Sequence, residues 1–188
     1  ENTSNNGDRE VLAGADCAID RTPTGDEREE IALESGETAK IFGIGRRIAF
    51  LSYSTFGSGK GEDVDKMRNA CTKAKALRPD LEMDGELKFD AAVSPTVGQL
   101  KFPGSPVAGY ANTFIFPTIE AGNIGYKIAQ RLGGFEAYGP IPQGLAAPIH
   151  ALSRGRHARE VYQMALIPAA PGQFFPWLPQ PPTAQASG

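Results

Sequence analysis

Two histidines and two cysteines in 188 residues leave little from which to build a metal centre. His150 and His157 fall in one short stretch near the C-terminal end, so a histidine-rich site is not expected and no bound metal is assigned. Cys17 and Cys71 lie far apart and neither belongs to a CxxC pair, which points to two thiols in a reducing compartment rather than to a disulfide. No apolar run approaches the ~20 residues that span a bilayer, and the opening stretch ENTSNNGDRE is too polar for a secretory signal. Charge of one sign is not in excess either. A net charge of −3 gives no general attraction for nucleic acid or an anionic membrane. The expectation is a cytoplasmic protein without nucleic-acid or membrane partners, in which any bound anion is held by a local arrangement.

Hydrophobic residues at 40% and charged residues at 22% describe an ordinary globular domain. Residues 1–10 are polar and expected to be disordered, and VLAGADCAI reads as a short buried strand. A helix follows, with Thr22 or Thr24 as N-cap, acidic residues in the first turn, Ile31, Ser35, Thr38 and Phe42 on its inner face, and Gly43 closing it. RRIAFLSYS is apolar enough for a central strand covered on both faces. In EDVDKMRNACTKAKAL, Val64, Met67, Cys71 and Ala74 form a helical stripe opposite the basic residues. DLEMDGEL and KFDAAV are ambiguous, whereas KFPGSPVAGYA is a loop by its Pro and Gly content. NTFIFP reads as another strand, and TIEAGNIGYKIAQRLGG as a helix with Ile124, Ile128, Ala129 and Leu132 inward. FEAYGPI gives one more strand and REVYQMALI a last helix, ahead of a Pro-rich extended tail at 168–188. Strands alternating with helices predict an α/β fold, a three-layer sandwich with a largely parallel sheet.

Two stretches carry polar chemistry. SYSTFGSGKG, residues 52–61, has the look of a phosphate loop but fails the tests for a nucleotide site. Gly59-Lys60 is followed by Gly61 rather than Ser or Thr, and Ser54 stands where the first glycine of a Walker loop belongs. A dinucleotide fingerprint fails too, because Gly43 and Gly45 precede the strand instead of following it. What remains is a set of hydroxyls, Ser52, Ser54, Thr55 and Ser58, between a strand's carboxyl end and a helix N-terminus near Glu62. Such a place suits an anion without nucleotide specificity, or is simply a solvated turn. In ALSRGRHARE, Arg154 is a planar fork for phosphate or carboxylate, Ser153 a neutral donor and Glu160 a proton acceptor. A helix cap with a charged first turn explains the same residues. Neither a GxSxG elbow nor an HExxH zinc motif is present.

The order of RIAFLSYSTFGSG, DLEMDGELKFDAA, FPGSPVAGYANTFIFP, EAGNIGYKIAQRLGG and GPIPQGLAAPIHALSRG closely resembles the phosphate acetyltransferase (phosphotransacetylase) family, from about Val11 to Ile167. The resemblance implies a domain at 11–167 of isocitrate/isopropylmalate-dehydrogenase-like architecture. It also implies the second of two domains plus a final helix, with the N-terminal domain absent. The implied activity interconverts acetyl phosphate and CoA with acetyl-CoA and phosphate. CoA and acetyl phosphate are then small-molecule substrates, no cofactor is bound, and the protein is a homodimer. By resemblance, Ser153 is the donor, Arg154 the phosphate clamp, and Glu160 the base for the CoA thiol, where the family has an aspartate. Ser54, Thr55, Ser58, Asn123 and Lys127 are the implied substrate-binding residues. The chain departs from the family in Arg156-His157-Ala158-Arg159 and in the Pro-rich tail. The alternative is a non-catalytic acetyl-CoA-sensing module, like the C-terminal domain of some NADP-dependent malic enzymes.

Overall fold

A computed structural model of the chain describes residues 11–17, 25–142 and 162. The chain divides into two compact units, residues 1–136 and 137–188. In the first, four strands, β1 (Ala13–Ala15), β2 (Arg47–Leu51), β3 (Glu82–Leu87) and β4 (Thr113–Ile115), form one sheet in the order β1-β4-β2-β3. Every pairing is parallel. The helices are α1 (Gly25–Ile41), α2 (Glu62–Leu77), α3 (Phe89–Val93), α4 (Pro95–Lys101) and α5 (Ile119–Leu132).

The sheet carries a core on each face. Ile48 and Phe50 of β2, Met83 of β3 and Ile115 of β4 pack with Ala32 of α1 and with Met67, Ala70, Cys71 and Ala74 of α2. Ala49 and Leu51 of β2, Leu87 and Phe114 point into a second cluster with Ala91 and Ala92 of α3 and with Val107, Ala108 and Ala111. Alternate residues of β2 therefore serve opposite cores, which is why RIAFL is apolar throughout. The result is the expected α/β sandwich of three layers about a parallel sheet. The helix expected at 62–77 forms over Glu62–Leu77, and its buried face is Val64, Met67, Ala70, Cys71 and Ala74.

Two helix faces differ from the sequence reading. In α1 the buried residues are Arg28, Ala32, Ser35, Gly36 and Ala39, while Phe42, beyond its end, is 38% exposed. Small side chains let the helix approach closely: a Cβ at Gly36 would stand 2.9 Å from Leu81 Cδ1 and 3.3 Å from Ile48 Cδ1. Ile31 is displaced to the flank of that core. In α5, Ile124, Ile128 and Leu132 are exposed, Ala129 is half-buried, and Gly122 is the buried residue. Gly122 faces the chain after β1, because a Cβ there would lie 2.7 Å from Asp16 O. The small residue of α5, not its isoleucines, meets the sheet edge.

The strand expected at FEAYGPI does not form: residues 134–142 carry neither helix nor strand. Their Gly and Pro content, with left-handed Gly134 and Gly139, prevents a regular ladder. β1 is also shorter than VLAGADCAI. Of the last expected helix, only Tyr162 is described, and it is helical. The N-cap at Thr22 or Thr24, residues 1–10 and the Pro-rich tail lie outside the described residues. Among the described residues no helix is long and apolar enough to cross a membrane.

Candidate functional site

Parallel strands share one carboxyl edge, so the segments that follow them start on the same side of the sheet. Loop 52–61 follows β2, and α5 begins just after β4, the neighbouring strand. This is the edge at which open α/β sheets take their ligands.

Loop 52–61 is built around its hydroxyls and one carboxylate from β3. Ser54 Oγ donates to Glu86 Oε1 at 2.8 Å and accepts from the Gly59 amide at 2.8 Å. The Gly57 amide donates to the same Glu86 oxygen at 2.7 Å, and the Phe56 amide donates to the Glu86 main-chain carbonyl at 3.1 Å. Thr55 Oγ1 accepts from the Lys88 amide at 2.8 Å, and Ser58 Oγ accepts from the Thr55 amide at 3.0 Å. Ser54 and Thr55 are thus buried and hold the loop together, whereas Ser58 is exposed. At the loop's far end Gly61 has φ 146°, and a Cβ there would meet the Tyr53 hydroxyl at 2.6 Å. That hydroxyl donates to Lys60 O at 2.9 Å, closing the loop onto itself.

The electrostatics of the α2 N-terminus are mixed. No side chain caps it among the described residues, which leaves first-turn amides pointing toward the loop. Glu62, Asp63 and Asp65 occupy that first turn and satisfy the helix dipole themselves. An anion at this place would meet Lys60 and Ser58, because the amides of residues 54–59 already have acceptors within the loop or on Glu86.

Beneath the loop, β3 carries two buried carboxylates two residues apart, and α2 carries two cations seven residues apart. The cation spacing keeps Arg68 and Lys75 on one face of α2, whereas the register shift opposite Gly85 and Leu87 interrupts the alternation of β3. Arg68 Nε donates to Glu86 Oε2 at 2.9 Å, and Lys75 Nζ donates to Asp84 Oδ1 at 2.7 Å. Asp84 Oδ2 also accepts from Ser105 Oγ at 2.5 Å, and Ser105 Oγ in turn accepts from the Ala108 amide at 2.8 Å. Each carboxylate therefore ties one loop to the edge strand. A cavity of about 320 Å³ lies here, with Phe56, Phe102, Arg68, Lys75, Asp84 and Glu86 in its wall. Burial pushes the Glu86 carboxyl up, but Arg68 and the Gly57 amide outweigh it and hold it below the usual carboxylate range. Burial pushes the Cys71 thiol up to about 12, and Cys17 likewise to about 12, with Asp16 adding to the effect on Cys17. Both cysteines are free thiols.

On α5, Asn123 Nδ2 donates to Cys17 O at 3.2 Å, tying the helix to the end of β1. Lys127, one turn later, is exposed; its Nζ donates to the Tyr126 hydroxyl at 2.8 Å. Thr118 caps the helix by accepting from the Ala121 amide at 3.2 Å. Ser54, Thr55 and Ser58 thus come together in one loop, and Asn123 and Lys127 share one helix. Ser153, Arg154 and Glu160 lie outside the described residues. The sequence reading did not single out Glu86, Arg68, Asp84 or Lys75. It also passed over Arg28, which is buried and donates from Nη1 to Phe116 O at 2.6 Å. A signal for the first four existed in the sequence: an acidic pair inside the otherwise strand-like EMDGEL has to find cations.

Comparison with known proteins bears on the family. The family model described as phosphate acetyl/butaryl transferase matches residues 3–169. The phosphate acetyltransferase of Bacillus subtilis strain 168 is 54% identical over 156 residues, which are 83% of this chain and 48% of that protein. A phosphotransacetylase structure from Streptococcus pyogenes superposes with a TM-score of 0.82 at 56% identity, covering 86% of this chain and 49% of that one. The phosphotransacetylase from Staphylococcus aureus gives 0.81 at 47% identity, with 86% of this chain and 50% of that chain covered. The chain spans about half the length of the curated relatives it matches. On the family match and these identities, the chain belongs to the phosphate acetyl/butaryl transferase family.

Proposed function

We propose that the protein transfers an acetyl group between phosphate and the thiol of coenzyme A. The observation that carries this reading is the 54% identity to a relative named phosphate acetyltransferase, over 83% of the chain. CoA and acetyl phosphate are both substrates, so the reaction asks for no resident cofactor or metal. In the forward direction the CoA sulfur attacks the acetyl carbonyl carbon, a C–S bond forms, and the C–O bond to phosphate breaks. Glu160 takes the thiol proton. Arg154 binds the phosphate through its planar fork, and Ser153 donates to the carbonyl oxygen as negative charge develops there. Ser54, Thr55, Ser58, Asn123 and Lys127 serve substrate binding. Within that set, Ser58 and Lys127 act from the surface, while Ser54 and Thr55 act through the loop they hold. A homodimer in the cytoplasm completes the proposal, and sedimentation of the purified protein tests the dimer.

The test of the activity is thioester formation from acetyl phosphate and CoA by the full-length protein, with butyryl phosphate run beside it. Acetyl-CoA made faster than butyryl-CoA is the expected result. Binding of acetyl-CoA without turnover of either acyl phosphate would replace the enzyme reading with a sensing one.

A further inference from the structure

We infer that Glu86 is a positioning residue for the reaction proposed above: it holds loop 52–61 in the form that meets the phosphate-bearing substrate. The inference rests on that functional reading. Its geometric support is a convergence of four hydrogen bonds on one residue of the edge strand. Oε1 takes the Ser54 hydroxyl and the Gly57 amide, Oε2 takes Arg68 Nε, and the main-chain carbonyl takes the Phe56 amide. The carboxylate itself is buried, at 1% exposure.

What the anchor holds is a conformation the loop would not keep alone. Phe56 has φ 47°, in the left-handed region that a bulky L-residue rarely adopts. It is 64% exposed, so burial does not force it there. Hydrogen bonds to Glu86 on Phe56 and Gly57, and the stack of Phe56 on Phe102 at 4.2 Å between ring centroids, over-determine the turn instead. With Ser54 and Thr55 drawn inward and the amides of residues 54–59 bonded within the loop or to Glu86, the exposed face of the loop presents Ser58 and Lys60. Arg68 reaches from α2 to both Glu86 and Asp65, so the anchor also fixes the loop against the helix that follows it. Releasing Glu86 moves that face by the ångström-scale displacements that matter for substrate placement.

The experiment compares wild type, Glu86→Gln and Glu86→Ala in the full-length protein. The Gln variant keeps an acceptor oxygen for Ser54 and Gly57 and loses the charge that Arg68 requires. The Ala variant loses all three side-chain bonds. Steady-state kinetics with CoA and acetyl phosphate and hydrogen exchange at the Gly57 and Gly59 amides are the two readouts. The expected result is a KM for the phosphate-bearing substrates raised between about tenfold and a hundredfold in Glu86→Ala, less in Glu86→Gln, with kcat changed little. Exchange at both amides accelerates in the same order. An unchanged KM in folded Glu86→Gln and Glu86→Ala, whatever happens to Tm, overturns the inference, because a fold stabiliser alone moves Tm and not KM. If Glu86→Ala fails to fold, Glu86→Gln and Arg68→Gln decide the matter by the same split. A wild-type protein without turnover refutes the functional reading and the kinetic role with it. The exchange data then still decide whether Glu86 anchors the loop.

Discussion

Gly98 offers a sharp test of how the layer below the sheet is packed. It is buried within α4. A Cβ there would stand 2.5 Å from Gly109 N, 2.6 Å from the Ala108 carbonyl carbon and 2.7 Å from Ala91 O. All three are main-chain atoms, and the Gly109 amide donates to Ala91 O at 2.8 Å, so none can turn aside as a side chain would. Ordinary contact begins near 3.4 Å, so α4 and the 107–111 segment have to separate by nearly an ångström. Replacing a helical glycine by alanine gains about 1 kcal/mol in propensity. Overpacking a rigid site costs about 1–3 kcal/mol. Three simultaneous backbone clashes put Gly98→Ala at the upper end, for a net loss of about 2 kcal/mol. Gly104 supplies the contrast, since its φ is 82° but nothing lies within 4 Å of its Cβ position. There the penalty is conformational, about 1 kcal/mol for alanine and less for asparagine, which tolerates the left-handed region. Urea unfolding of the variants, followed by circular dichroism, measures both. At 98 alanine should be better tolerated than asparagine, and at 104 the order should reverse. A neutral or stabilising Gly98→Ala refutes the packing described here.

Two further outcomes follow from the titrating groups. Cys71, with its thiol pushed up to about 12, should react with iodoacetamide at pH 8 more than about a thousandfold slower in the folded protein than in urea; equal rates would contradict its burial. Glu86 has a folded pKa held below its unfolded value of about 4.3, so its contribution to stability is fully present above that pH and is lost as pH falls through the folded value. The stability difference between wild type and Glu86→Gln should stay level from about pH 7 to pH 5 and close in more acid solution; a difference that widens toward acid would be wrong in sign.

Parts of this architecture are legible in the sequence because burial there follows hydrophobic side chains. In α2, Val64, Met67, Cys71 and Ala74 recur at helical spacing and are the residues that face the core. β2 reads as central because both of its faces are covered. α1 hides its packing face in Ala32, Ser35, Gly36 and Ala39, whose value is smallness, so Ile31 packs only at the flank of the core and Phe42 misleads. In α5 the apolar stripe is genuine in the sequence, but Ile124, Ile128 and Leu132 are exposed and Gly122 is the residue that packs inward. The loop's composition announces a turn rich in donors. It does not announce that Ser54 bonds to a carboxylate 32 residues away, since that partnership exists only after β2 and β3 pair. EMDGEL is short and ambiguous in the sequence, and the burial of its Asp84 and Glu86 depends on Lys75 and Arg68 reaching over from α2.

The proposed acetyl transfer is tested most directly by the kcat/KM for acetyl phosphate in the CoA-dependent reaction, compared between the full-length wild-type protein and Arg154→Ala. If Arg154 clamps the phosphate during acetyl transfer, wild type forms acetyl-CoA, and the variant loses on the order of a hundredfold or more while still folding. Wild type that forms no acetyl-CoA, or a variant that matches it, contradicts the account.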